Sequence, residues 1–136
     1  MKKIIPFLFI SVLVISCFSV ETKNPKKAFE YWAGFSPGDS IQILNGQYYQ
    51  SPHFTLEYEA FLKIKPTIYW WKALVNQKKL VRDTSEWNRF TNNDIPKWFS
   101  LNKEYYMYKP KDVHNRSRFF IHKETRIVLI YDTIGM

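Results

Sequence analysis

The chain of 136 residues contains one cysteine and four glycines. A single cysteine, Cys17, cannot form an intrachain disulfide, so the fold has to rest on its core. Four glycines leave no room for a phosphate-cradling loop, and no GxxxxGK[ST] occurs. GxSxG, HExxH and paired CxxC are missing too, which removes the nucleophile elbow of α/β-hydrolases, the helix-borne zinc protease site and the common paired-thiol motifs. The three histidines, His53, His114 and His122, lie far apart in sequence. Acidic residues are few, 12 against 20 basic, for a formal net charge of +8. There is no internal repeat and no low-complexity tract.

The longest apolar stretch is at the N-terminus. Met1-Lys2-Lys3 is followed by the uncharged run IIPFLFISVLVIS, 4–16. A bilayer-spanning helix needs about 20 apolar residues, more than this run supplies. A basic start with a short apolar core is instead the layout of a secretory signal. The alternatives are an uncleaved anchor helix, or a plain cleaved signal, for which no small-x-small site precedes Glu21.

Val14-Ile15-Ser16-Cys17 resembles the bacterial lipobox: an aliphatic residue, a tolerated one, a small one, then the cysteine that is acylated after cleavage before it. The resemblance covers residues 1–17. It implies a lipoprotein signal peptide over 1–16, palmitate-type lipid attachment at Cys17, and a lipid-anchored location in the cell membrane or outer membrane, facing the periplasm. Phe18, rather than Asp, follows the cysteine, which does not argue for inner-membrane retention. Each buried methylene adds about 0.8 kcal/mol, so two or more chains hold stably. Removing Lys2 and Lys3 leaves 18 basic against 12 acidic residues. An exported basic domain meets lipid head groups and wall polymers. The expected partners are therefore the membrane, through acylated Cys17, and a protein or glycan, with no nucleic acid. Lys23, Lys26 and Lys27 follow the anchor, where each cation adds about 1 kcal/mol near an anionic surface.

Residues 17–24 read as a lipid-anchored tether and 25–136 as a single domain. Asn24 can cap a helix, Pro25 suits its first position and Gly34 its C′ position, which predicts a helix over 25–33 with Ala28, Phe29 and Trp32 on one stripe. SIQIL and QYYQ flank Asn45-Gly46, the strongest short hairpin signal. FTLEYEAFLKIK, 54–65, alternates as a half-buried strand, with Phe61 the exception. Pro66-Thr67 opens a second helix, IYWWKALVNQKK. On it Trp71 shares a line with Ile68 and Val75 and is expected in the core, with Trp70 at the boundary. Residues 80–103 read as irregular, 104–109 as a strand, and 118–122 with 126–132 as a last hairpin whose second strand is central. The fold class is α+β: an antiparallel sheet of about five to six strands with two helices packed on one face. The cadence YWAGF, YYQSPHF, WW, PKWF also resembles small bacterial lipoproteins, a resemblance that implies no activity.

Candidate sites are sparse. Aromatics make up 18% of the chain, more than one small core easily buries. Trp70, Tyr106 and Tyr108 form a candidate binding patch, because exposed rings stack on sugars or fill a partner's pocket. Glu57 and Glu59, two apart on a strand, could serve with His53 as acid and base. Asp132-Thr133-Ile134 resembles the O-glycosylation motif of some Bacteroidota, which would make Thr133 the acceptor. No cofactor and no metal is expected. The leading reading is a non-enzymatic, lipid-anchored cell-envelope protein that binds a macromolecular partner. Its alternatives are a small envelope hydrolase acting on wall or glycan, and a carbohydrate-binding module using exposed aromatics.

Overall fold

The computed structural model describes residues 19–52, 57–85, 88, 90 and 94–135. Cys17, the apolar run before it, and His53 lie outside them.

Among the described residues, nine elements follow one another: β1 (Val20–Thr22), α1 (Pro25–Ala33), β2 (Ile41–Gln50), β3 (Tyr58–Pro66), α2 (Ile68–Gln77), β4 (Leu80–Asp83), β5 (Tyr105–Pro110), β6 (Arg118–His122) and β7 (Val128–Ile134). The seven strands form one antiparallel sheet in the order β1-β2-β3-β7-β6-β5-β4. The chain therefore builds the sheet from both edges inward and closes it with β7 at the centre. The α+β class holds, with one strand more than expected.

Both helices start where their caps dictate. Asn24 Oδ1 accepts from Lys27 N at 3.0 Å, Pro25 occupies the first position and Gly34 ends α1 in the left-handed region (φ 82°). Thr67 Oγ1 accepts from Trp70 N at 3.2 Å and starts α2. Both helices pack on one face of the sheet. Ala28 and Phe29 of α1 and Trp71 and Leu74 of α2 share a core with Ala60, Leu62, Ile64, Val128 and Ile130. Trp71 is buried and Trp70 half-buried, as their positions on the helix require.

The sheet's other face is covered over β3, β7, β6 and β5, while Gln42, Tyr49 and Lys65 stay exposed on it towards the β1–β2 edge. Phe61 of β3, Leu129 and Tyr131 of β7, Phe120 and Met107 build a second core, covered by Phe99 with Phe90, Ile95, Trp98 and Leu101. Phe61 breaks the alternation because β3 has apolar cover on both sides. Its ring lies 5.4 Å from Phe99 and 4.9 Å from Tyr131.

Three expectations are corrected. Residues 20–22 are not tether: β1 pairs with β2, Val20 opposite Gln50 and Thr22 opposite Tyr48. Residues 80–83 are not irregular: β4 pairs with β5 at the far edge. Asn45-Gly46 is not a turn. Both lie inside the ten-residue strand β2, with a bulge at Leu44 between the registered Ile43 and Asn45. Neither residue has positive φ. Gly46 is there because α1 crosses directly over it: an added Cβ would meet Leu62 Cδ2 at 2.9 Å, Ala28 Cβ at 3.2 Å and Pro25 O at 3.3 Å.

Gly46→Val should therefore lower stability by about 1–3 kcal/mol through overpacking. Gly38→Ala, where nothing lies within 4 Å, should leave the urea midpoint almost unchanged. Equal midpoints for the two variants would mean that α1 does not rest on β2 at this position.

Candidate functional site

The densest polar cluster is one that sequence reasoning met only inside a short motif. Asp132 sits on central β7 opposite Ala60 and on the helix-covered face of the sheet. Its Oδ2 accepts from Trp32 Nε1 at 2.8 Å and from Tyr58 OH at 2.9 Å. Its Oδ1 accepts from Ser117 Oγ at 2.6 Å, and Ser117 Oγ in turn accepts from Thr133 N at 3.0 Å. Lys78 Nζ, at the end of α2, approaches Oδ2 at 3.5 Å and lies 5.7 Å from the centre of the Trp32 ring. Burial of a carboxylate is tolerated only with such donors. Tyr58 is the middle of a small hub: it stacks on Tyr48 at 5.7 Å, and Tyr48 stacks on half-exposed Tyr31 at 5.5 Å. Burial, and then the Asp132 charge, push the Tyr58 phenol well above its ordinary value and raise that of Tyr48. The signal in the sequence is an acid closing a strand that is apolar on both faces, VLIYD.

A smaller ionic cluster stands on the opposite face. Asp83 lies 3.7 Å from Arg118 and 4.0 Å from Lys109, and Ser85 Oγ donates to it at 2.6 Å. Burial works against the Asp83 charge, but Ser85, Lys109 and Arg118 outweigh it and hold its pKa below the usual carboxylate value.

The residues singled out from the sequence do not converge. Trp70 lines a groove of about 160 Å³ between the two helices, with Trp32, Phe35 and Lys78. Tyr108 packs edge-on against Trp71 at 5.3 Å, on the opposite flank of α2. Tyr106 is exposed, but Arg82 lies 4.0 Å and Lys123 5.1 Å from its ring centre, so cations already occupy the ring that a sugar would stack on. Glu57 accepts from Ser51 Oγ at 3.3 Å and Glu59 from Tyr131 OH at 3.2 Å, so the two carboxylates serve separate contacts. His53 lies outside the described residues. His122 Nδ1 accepts from Glu124 N and Thr125 N, both at 3.1 Å, and so closes the β6–β7 turn. His114 and Asp112 line a polar hollow of about 390 Å³. Among the described residues, no three His, Cys, Asp or Glu side chains gather as metal ligands. Thr133 is 5% exposed and its Oγ1 donates to Tyr58 O at 3.0 Å, which keeps the hydroxyl inside the folded sheet, away from a glycosyl donor.

Comparison with protein-family models, with curated proteins and with solved structures gives no match.

Two outcomes follow for the buried carboxylate. Asp132→Ala should cost more than about 2 kcal/mol, because three donors lose a charged acceptor. Lys78→Met should cost less than about 1 kcal/mol, because the lysine is partly in water. Chemical denaturation measures both, and the reverse ranking would make the ion pair the dominant contact.

Tyrosine burial also sets an alkaline limit. Tyr58, Tyr48, Tyr105 and Tyr131 are each held above 10.0, chiefly by burial. The fold keeps these phenols neutral while the unfolded chain ionises near pH 10, so their contribution is complete below about pH 10 and is lost as pH rises through the folded values. The melting temperature should fall above pH 10 or so, and less steeply in Tyr58→Phe. Identical slopes would mean that Tyr58 titrates normally in the fold.

Proposed function

We propose that the protein is a lipid-anchored bacterial cell-envelope protein, without catalytic activity, that binds a macromolecular partner at the membrane surface. The observation that carries this reading is the spacing between Cys17 and the sheet. β1 begins at Val20, three residues beyond the cysteine, and is an edge strand. Three residues reach about 10 Å at most. An acylated Cys17 would hold the β1 edge against the head groups rather than swing the domain on a tether. Lys23, Lys26 and Lys27 are exposed beside that edge, and Glu30 is within ion-pair distance of Lys26 alone among them. Cations so placed favour an anionic surface.

Support for a binding role comes from the outer surface of the helices. Tyr69 is 81% exposed, Phe35 53% and Tyr31 51%. Large exposed rings of this kind act as anchors in protein and glycan interfaces. The main polar cluster, around Asp132, is spent on holding elements together.

Radiolabelled palmitate should enter the wild type and not Cys17→Ala, and the variant should be depleted from the membrane fraction. Equal labelling would remove the anchor from the proposal. A photo-crosslinking residue placed at Tyr69 in intact cells should give one discrete adduct, while its absence would remove the macromolecular partner.

A further inference from the structure

One apolar cleft is lined by lysines that no carboxylate among the described residues claims. It lies between α2 and the β4–β5 edge of the sheet and has a volume of about 600 Å³, within the roughly 300–1,000 Å³ of small-molecule sites. Trp71 and Tyr108 form part of its wall, edge to face, with half-buried Val75 beside them. Lys72, Lys79 and Lys111 line it as well, and all three are exposed.

The charges are what single it out. Lys78 is paired with Asp132 at 3.5 Å, Lys109 with Asp83 at 4.0 Å and Lys26 with Glu30 at 4.0 Å. Among the described residues, no carboxylate lies within ion-pair distance of Lys72, Lys79 or Lys111, and none lines the cleft. Lys79 also holds a left-handed backbone (φ 52°) just past the end of α2, where glycine or asparagine is usual. A long cationic side chain thus stands in the wall at a conformational cost.

The geometry points to a binding site for a single-chain amphiphile with a phosphate monoester head. The apolar wall takes the chain. Three uncompensated cations suit a head that carries roughly 1.5 to 2 negative charges near neutral pH, and lysine binds phosphate as a mobile point charge. The site lies on the flank of α2 opposite Trp70 and does not touch the Asp132 cluster. It is independent of acylation at Cys17 and of the macromolecular partner.

The test uses the full chain in zwitterionic nanodiscs and a diazirine-bearing alkyl phosphate as photoprobe. Adducts should map to residues 68–81 and 108–111, and unlabelled dodecyl phosphate should displace them. The triple variant Lys72→Gln, Lys79→Gln, Lys111→Gln, confirmed folded by an unchanged circular dichroism spectrum, should lower apparent affinity by 10-fold or more. Dodecanol and inorganic phosphate should each compete at least 10-fold less well. Equal competition by dodecanol overturns the role of the charge, and equal competition by inorganic phosphate overturns the role of the chain. Dodecanoate matching dodecyl phosphate overturns the choice of head group. Unchanged labelling in the triple variant, or adducts elsewhere, overturns the site.

Discussion

The fold turns on one buried carboxylate. Asp132 lies towards the end of the central strand, at the point where both helices come down on the sheet. Through it α1 is tied by Trp32, β3 by Tyr58, the segment entering β6 by Ser117, and the end of α2 by Lys78. An unpaired charge in that position would be strongly unfavourable. Trp32, Tyr58 and Ser117 supply most of the compensation and partly solvated Lys78 adds to it, so one residue couples the helix layer to the sheet. The same neighbourhood keeps Tyr58 neutral and stacked on Tyr48.

Around that tie the central strands of the sheet are buried on both faces. Leu62 and Ile130 point under the helices, while Phe61 and Leu129 point into the second core beneath Phe99. An antiparallel sheet more commonly shows one face to water. Here the aromatic content makes the second cover feasible: Phe61, Phe90, Phe99, Phe120 and Tyr131 meet one another at ring separations of 4.9–6.3 Å. Trp98 and Tyr105 also pack against this second core. Of the exposed rings, Tyr31, Tyr69 and Tyr106 sit on the helix side and Tyr49 on the other face.

The two proposed working regions use different parts of the molecule. The β1 edge and its lysines face the membrane if Cys17 is acylated. The lysine-lined cleft lies at the β4–β5 edge, the opposite end of a seven-stranded sheet. An antiparallel sheet that sits with one edge on lipid presents its other edge to whatever approaches from solution.

The sequence by itself determined the local features. Asn24, Pro25 and Gly34 bound α1, Thr67 starts α2, and the positions of Trp70 and Trp71 on one helix fixed which is deeper; each depends on neighbours within one or two turns. The apolar run of β7 likewise marked it as central. Only the tertiary structure decided the rest. Asn45-Gly46 carries a turn signal, but the determining contacts come from Pro25 and Ala28 across the helix and Leu62 across the strand. β1 and β4 are held by backbone pairing to strands distant in the chain, which leaves little pattern in three or four residues. Glu57 and Glu59 looked like a pair by spacing, yet their partners, Ser51 and Tyr131, were chosen by loop path and register. Asp132 appears in the sequence as an acid at a strand end. Its role needs donors up to 100 positions away, and burial of a charge is a property of the assembled fold.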